Sequence, residues 1–265
     1  RRAGRRAGPR RRAARRRRVT APALEIRGLS KAFGGLPVIS GLDLTVNAGE
    51  RHLLIGPNGA GKTTLFNLIG GELRPDRGAV RLFGRDVSRL STHRRVHFGL
   101  GRTYQILTLF PRDTVEDNVV LALLGTSPLR WSCAAALGDR ADVRGEARAV
   151  LARVGLEALG DRPVSQTSYG EKRRLEIAMA LAQKPRLLLL DEPLAGLSAG
   201  ERAQIQAVLA AIPRDVTVLL IEHDMDAALA YAERITVLHY GQLIVQGTRG
   251  EVVAHPRTKE VYLGG

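Results

Sequence analysis

The chain has 265 residues, a formal net charge of +15 and a single cysteine. That length can bury a substantial core, as one large domain or two small ones. Cys133 alone excludes an intrachain disulfide and points to a reducing cytosolic compartment, and no apolar run nears the roughly 18 residues of a membrane span.

The charge is unevenly spread. Residues 1–18 hold eleven arginines and no acid, so +15 less eleven leaves +4 for the rest, ordinary for a soluble domain. We read residues 1–21 as a disordered Arg-rich tail, because Arg, Ala and Gly leave almost nothing to bury. Three roles stay open for it: an extension without function, a basic segment beside an anionic membrane, or a nucleic-acid contact. No signal-peptide core is present either.

Leu24–Ile26 and Leu42–Val46 alternate apolar and polar residues, which predicts a small antiparallel sheet, with turns at Gly34-Gly35 and Pro37. Phe33 sits in its loop, either as packing or as an aromatic able to stack on a purine. The apolar segment Leu53-Leu54-Ile55 then runs into Gly56-Pro57-Asn58-Gly59-Ala60-Gly61-Lys62-Thr63-Thr64, which fits G-x-x-x-x-G-K-[ST]. A strand, a glycine-rich turn and a helix start turn backbone N–H groups and the helix dipole toward an anion. Lys62 supplies a point charge for the β/γ-phosphates, and Thr63 a hard oxygen for Mg²⁺. A nucleotide site is therefore the working reading.

Ala79–Leu82 reads as a further short strand. Asp113 or Thr114 can cap a helix whose face is Val115, Val119, Ala122 and Leu123. Residues 125–145 show no period and read as irregular, and the helical pattern resumes with Ala147, Val150, Leu151 and Val154. Residues 106–165 are thus mostly helical. With the next helix they make a helical subdomain of about 106–182 inserted in the core. Ser168 with Glu171 is a capping box opening that helix, which has Leu175, Ala178, Met179 and Ala182 as its stripe and Pro185 beyond its end. Leu187–Leu190 then meets Asp191-Glu192-Pro193. A second capping box, Ser198 with Glu201, starts a helix buried on Ile205, Val208, Leu209 and Ile212. Val216–Ile221 is a strand ending at Glu222-His223, Asp224–Ala232 is helical, and Ile235–Leu238 turns through Gly241 into Leu243-Ile244-Val245.

Continuous apolar runs separated by helices are the pattern of parallel strands covered on both faces. Ligands of such sheets sit at the carboxyl ends of the strands, where Gly56, Asp191 and His223 all fall. Asp191 is placed to hold Mg²⁺ through water, and Glu192 to polarise a water aimed at the γ-phosphate. Gln105 by itself reads as a turn residue, and His223 as a structural histidine closing a strand.

Taken together, the motifs resemble the ATP-binding cassette (ABC) transporter ATPases over about residues 22–265. Phe33, the Walker A loop at 56–63, Gln105, a signature at Thr167–Glu171, Walker B at 187–192 and His223 stand in that family's order. Three passages are most similar to the branched-chain amino acid importer subgroup: Arg102-Thr103-Tyr104-Gln105 with Leu109-Phe110-Pro111, Ser168–Glu171 with Arg173–Ile177, and Tyr240–Gln242 through to Leu263-Gly264. Urea, amide and lipopolysaccharide transport ATPases are similar at several of the same places.

The resemblance implies an α/β fold: a P-loop NTPase (RecA-like) core with a mainly parallel sheet, an N-terminal antiparallel β subdomain and the inserted helical subdomain. It implies ATP and Mg²⁺ as cofactors. A second ATPase subunit, in a homodimer or a paralogous heterodimer, would present Ser168 and Gly170 to the opposite γ-phosphate. Glu192 would be the general base, His223 the γ-phosphate sensor and Gln105 the link from the metal site to the permease, with Phe33 stacked on adenine. The partners implied are transmembrane permease subunits and, indirectly, a solute-binding protein, at the cytoplasmic face of the plasma (inner) membrane. No nucleic acid is expected, since a soluble nucleic-acid ABC protein usually carries paired cassettes or long coiled coils. A non-hydrolysing regulatory cassette is opposed by Lys62, Asp191, Glu192 and His223. Two departures stand out: Thr167, Tyr169 and Glu171 replace residues of the usual Leu-Ser-Gly-Gly-Gln, and Ala195-Gly196-Leu197-Ser198 replaces Ser-Ala-Leu-Asp. They put communication between paired ATP sites in doubt.

Overall fold

A computed structural model describes residues 21–104, 109–127, 141–222 and 229–263. The Arg-rich residues 1–20, Gln105, residues 128–140 and His223 lie outside the described residues. So does most of the helix expected over Asp224–Ala232, whose described end, 229–231, is helical.

The alternation at the amino end builds β1 (Leu24–Phe33) and β2 (Leu36–Val46), an antiparallel hairpin with Ile26 opposite Leu44. β4 (Arg77–Leu82) joins the other edge of β1, and β5 (Arg85–Asp86) completes a four-stranded sheet. The second sheet has the order β10-β9-β3-β8-β7-β6. In it β3 (Arg51–Ile55), β6 (Leu100–Arg102), β7 (Leu187–Asp191), β8 (Thr217–Ile221) and β9 (Arg234–His239) run parallel to one another. β10 (Gln242–Gly247) is antiparallel to β9. β6 has no signal of its own in the sequence, because three residues are too few to show a period; pairing with the edge of β7 makes it a strand.

Side chains alternate across the sheet, so each apolar run serves two cores. Leu187 and Leu189 of β7, with Leu54 and Leu219, pack on α1 (Lys62–Gly70) and the antiparallel sheet. Leu188 and Leu190, with Leu53, Val218 and Leu220, pack on the helical part: α3 (Val115–Thr126), α4 (Ala141–Arg153), α5 (Tyr169–Ala182) and α6 (Ala199–Ala211). The two carboxy-terminal helices are α7 (Arg249–Ala254) and α8 (Pro256–Leu263).

The expectation of irregular chain over 125–145 needs correction at its ends. α3 runs to Thr126 and α4 begins at Ala141. In the first turn of α4 Val143 packs on the core only partly buried, while Arg144 and, one turn on, Arg148 each place a nitrogen 2.6 Å from the buried carboxylate of Glu116 on α3. Ion pairs and a single apolar contact hold that stretch, and one apolar residue is too little for hydrophobic periodicity to register.

α1 is held at its far end by Arg95, in the short α2 (Thr92–Val96). The wholly buried Arg95 donates from Nη1 to the carbonyls of Leu68 and Ile69, both at 2.6 Å. A guanidinium on the last carbonyls of a helix satisfies orphan acceptors and complements the dipole.

Candidate active site

Gly56 follows β3, and the loop to Thr64 passes directly into α1, as strand, turn and helix. Gly61 is the residue before the helix and has φ +99°, a left-handed conformation that side chains disfavour. A Cβ there would also lie 2.9 Å from Ile39 Cδ1. Lys62 is buried and donates to the Gly56 carbonyl at 2.7 Å and the Pro57 carbonyl at 3.0 Å. Burial holds its ammonium below the ordinary lysine range, while Glu192 and Asp191 pull the other way. The loop is braced from behind by Gly241, whose N–H donates to the Ala60 carbonyl at 3.0 Å.

Asn58, Gly59, Ala60, Gly61, Lys62, Thr63 and Thr64 line a cavity of about 430 Å³, closed by Val38 and Glu192. The hairpin thus contributes Val38, from β2, to the lining rather than Phe33. Phe33 is 46% exposed at the end of β1, with the Lys31 ammonium 5.6 Å from its ring.

β3, β8 and β7 are adjacent, with Leu54 opposite Ile221 and Ile221 opposite Asp191, so their carboxyl ends share one edge. Asp191 is buried there, and its Oδ1 has no hydrogen-bond partner among the described residues. Burial raises its pKa, with Arg102 opposing and Glu192 adding to the rise. An orphaned, buried carboxylate oxygen beside a phosphate loop fits a divalent cation or its water. Glu192 is half-buried and takes φ +49°, unusual for a side chain with a Cβ. Its N–H is tied to the Ile221 carbonyl at 3.0 Å, which sets the carboxylate against the P-loop cavity. Strain of this kind gathers at functional positions.

Ser168 and Gly170 do not line that cavity. Ser168 caps α5 in a complete capping box with Glu171. The Gly170 N–H donates to Glu201 Oε1 at 3.1 Å, and the other oxygen of Glu201 accepts from the Ser198 N–H at 3.0 Å. A Cβ on Gly170 would meet Glu201 Oε1 at 2.6 Å, so glycine lets the two helix ends meet. A Cβ on Gly196 would lie 3.6 Å from the Tyr169 ring. The two unusual motif segments are thus in contact with each other. Glu201 drew notice only as a cap, since one capping box looks like another in sequence. Arg102 stands in the Arg102–Gln105 passage, but nothing in that passage signals its place beside Asp191, because the two meet only across paired strands.

A glycine loop between a parallel strand and a helix, facing an Asp-Glu pair on the same sheet edge, defines a P-loop nucleoside triphosphatase. The ABC transporter family model matches residues 39–195, and the chain belongs to that family. It is 36% identical over 257 residues to the high-affinity branched-chain amino acid transport ATP-binding protein BraF of Pseudomonas aeruginosa, covering 93% of this chain and 99% of BraF. The lipopolysaccharide export system ATP-binding protein LptB of Acidithiobacillus ferridurans is 37% identical over 242 residues, covering 91% and 96%. Among solved structures, the ADP conformation of MJ1267, an ATP-binding cassette of an ABC transporter, superposes with a TM-score of 0.81. It is 31% identical, with 93% of this chain and all of that one covered. The protein is accordingly an ATP-binding, ATP-hydrolysing subunit of an ABC transporter. No described helix is long and apolar enough to cross a membrane.

Proposed function

We propose that this cassette powers import of branched-chain amino acids, docked on permease subunits at the cytoplasmic face of the inner membrane. A solute-binding protein would deliver the substrate to the permease. The match to BraF over nearly the whole of both chains supports that substrate class. The match to LptB supports a second reading, a cassette serving lipopolysaccharide export.

In this reading residues 56–64 bind the ATP phosphates, with Lys62 leaving the Gly56 and Pro57 carbonyls for the β/γ-oxygens. Thr63, Asp191 and Gln105 would hold Mg²⁺, which when bound would neutralise charge on the phosphate oxygens. Glu192 takes the proton of the attacking water, His223 senses the γ-phosphate, and Phe33 stacks on adenine. Two cassettes pair head to tail, so that Ser168 and Gly170 of one meet the γ-phosphate held by the other. The helical subdomain, about 106–182, moves with that closure, and Gln105 passes it to the permease.

The observation that carries the mechanism is Glu192 lining the P-loop cavity beside Asp191. Glu192→Gln should cut ATP hydrolysis by about 10²–10⁴-fold, the usual worth of a positioned general base. ATP binding should persist, and an ATP-bound dimer should accumulate on size exclusion. Phosphate release within twofold of the parent protein would remove the base assignment.

A further inference from the structure

Arg102 ends β6 with its side chain only 7% exposed, beside Asp191 and the P-loop helix. Its Nη2 lies 3.6 Å from Asp191 Oδ2 and donates to Asn67 Oδ1 at 2.8 Å. Its Nη1 donates to Glu72 Oε2 at 2.9 Å, and the guanidinium lies 5.7 Å from the Phe66 ring and 5.0 Å from the Tyr104 ring. The Tyr104 hydroxyl donates to the other oxygen of Glu72 at 2.9 Å. The Tyr104 carbonyl, in turn, accepts from Arg173 Nη1 on α5 at 3.0 Å. One planar side chain therefore joins the end of β7, the P-loop helix and the residue before Gln105.

The consequence for Asp191 is asymmetric. Arg102 faces Oδ2, while Oδ1 is buried with no hydrogen-bond partner among the described residues. A carboxylate anchored by one oxygen cannot turn freely about its last bond, so the other oxygen keeps a fixed direction. Arginine suits this task because its fork hydrogen-bonds Asn67 and Glu72 while its charge stays in ion-pair reach of Asp191, and its face rests on aromatic rings.

We propose that Arg102 is a positioning residue for the metal carboxylate: it orients Asp191 so that Oδ1 is presented to the Mg²⁺ of bound nucleotide. Through Tyr104 it also ties that orientation to the entrance of the glutamine loop and to α5. The proposal rests on the reading of Asp191 as a metal-holding residue. Partners that orient a metal-binding group typically contribute about 10–100-fold to metal affinity.

The test uses the full chain as parent, Arg102→Met, Arg102→Lys and Asp191→Asn, with a fluorescent ATP analogue titrated in EDTA and across a Mg²⁺ series. Arg102→Met should raise the Mg²⁺ concentration for half-maximal tightening by about 10–100-fold. Its affinity in EDTA should stay within about twofold of the parent. Arg102→Lys, which keeps the charge and loses the fork, should fall between the two. Should Arg102→Met not fold, as judged by its melting curve, Arg102→Lys decides alone: a shift of about threefold or more supports the proposal and a smaller one overturns it. An unchanged Mg²⁺ midpoint in Arg102→Met, or an equal loss in EDTA and in Mg²⁺, would reduce Arg102 to packing. Asp191→Asn separates the two layers of the argument. If it keeps the parental Mg²⁺ response, the metal reading of Asp191 fails and the proposal falls with it.

Discussion

The amino ends of α1 and α5 are finished in opposite ways. α1 starts at Gly61, which has no side chain to cap with, and its first turn holds no acid. α5 starts at Ser168 with a full capping box, and Glu171 and Glu201 already accept from the Ser168 and Gly170 N–H groups. A helix start attracts anions in either case. At α1 the anion must come from outside, whereas at α5 the protein supplies its own carboxylates. The comparison teaches that the P-loop is a prepared phosphate site in the single chain. The signature end is a closed surface, braced on α6, that has to exchange carboxylate for phosphate if a partner's ATP arrives.

Substitutions at each end sharpen that contrast. The largest effect is expected at α1. Lys62→Ala removes a charged donor from the cavity and should weaken nucleotide binding by about 10–100-fold, corresponding to about 1.5–3 kcal/mol for hydrogen bonds from a charged group. Titration with a fluorescent ATP analogue reads this directly, and an unchanged dissociation constant would break the contrast at its strong end.

Ser168→Ala should act on stability first. Loss of an N-cap costs about 0.5–2 kcal/mol, visible as a lower urea midpoint. Analogue binding to the isolated chain should stay within about twofold, because the proposed head-to-tail pairing gives the signature end to a partner's nucleotide. A matching loss of binding in the monomer would mean that both helix ends serve one site.

Glu201→Gln should be the mildest change. Hydrogen bonds from Ser198, then Gly170, hold the Glu201 carboxyl below the usual carboxylate range. A carboxylate with a lowered folded pKa contributes stability that is present above the ordinary value and lost as pH falls through the lowered one. The variant should therefore melt slightly lower at pH 7, with less change than Ser168→Ala, and lose stability less steeply in acid. An acid limb identical to the parent's would show that the Glu201 clamp contributes nothing.

Much of this was legible in the residues. Gly56 to Thr64 encode a turn whose geometry only glycine and a following helix can meet, so the phosphate loop reads directly from the chain. The same holds for the capping boxes at Ser168 and Ser198, where donor and acceptor lie three residues apart. The apolar runs of β3, β7, β8 and β9 announced a sheet covered on both faces. Where the signal is local, sequence suffices. α4 was only half visible, because its first turn packs a single apolar residue, Val143, and otherwise leans on Arg144, with Arg148 just beyond, paired with Glu116 across a gap of nearly thirty residues.

By itself, then, the sequence determined which strand ends carry the phosphate loop and the Asp-Glu pair, since each is written in contiguous residues. Tertiary structure alone decided how those ends are aimed. Arg102 meets Asp191 across strands β6 and β7, Glu201 of α6 closes on Gly170 of α5, and Arg95 of α2 seals the far end of α1. Each is a contact between distant segments, and an arginine or glutamate has no periodicity to reveal which carbonyl or carboxylate it will find once the chain has folded.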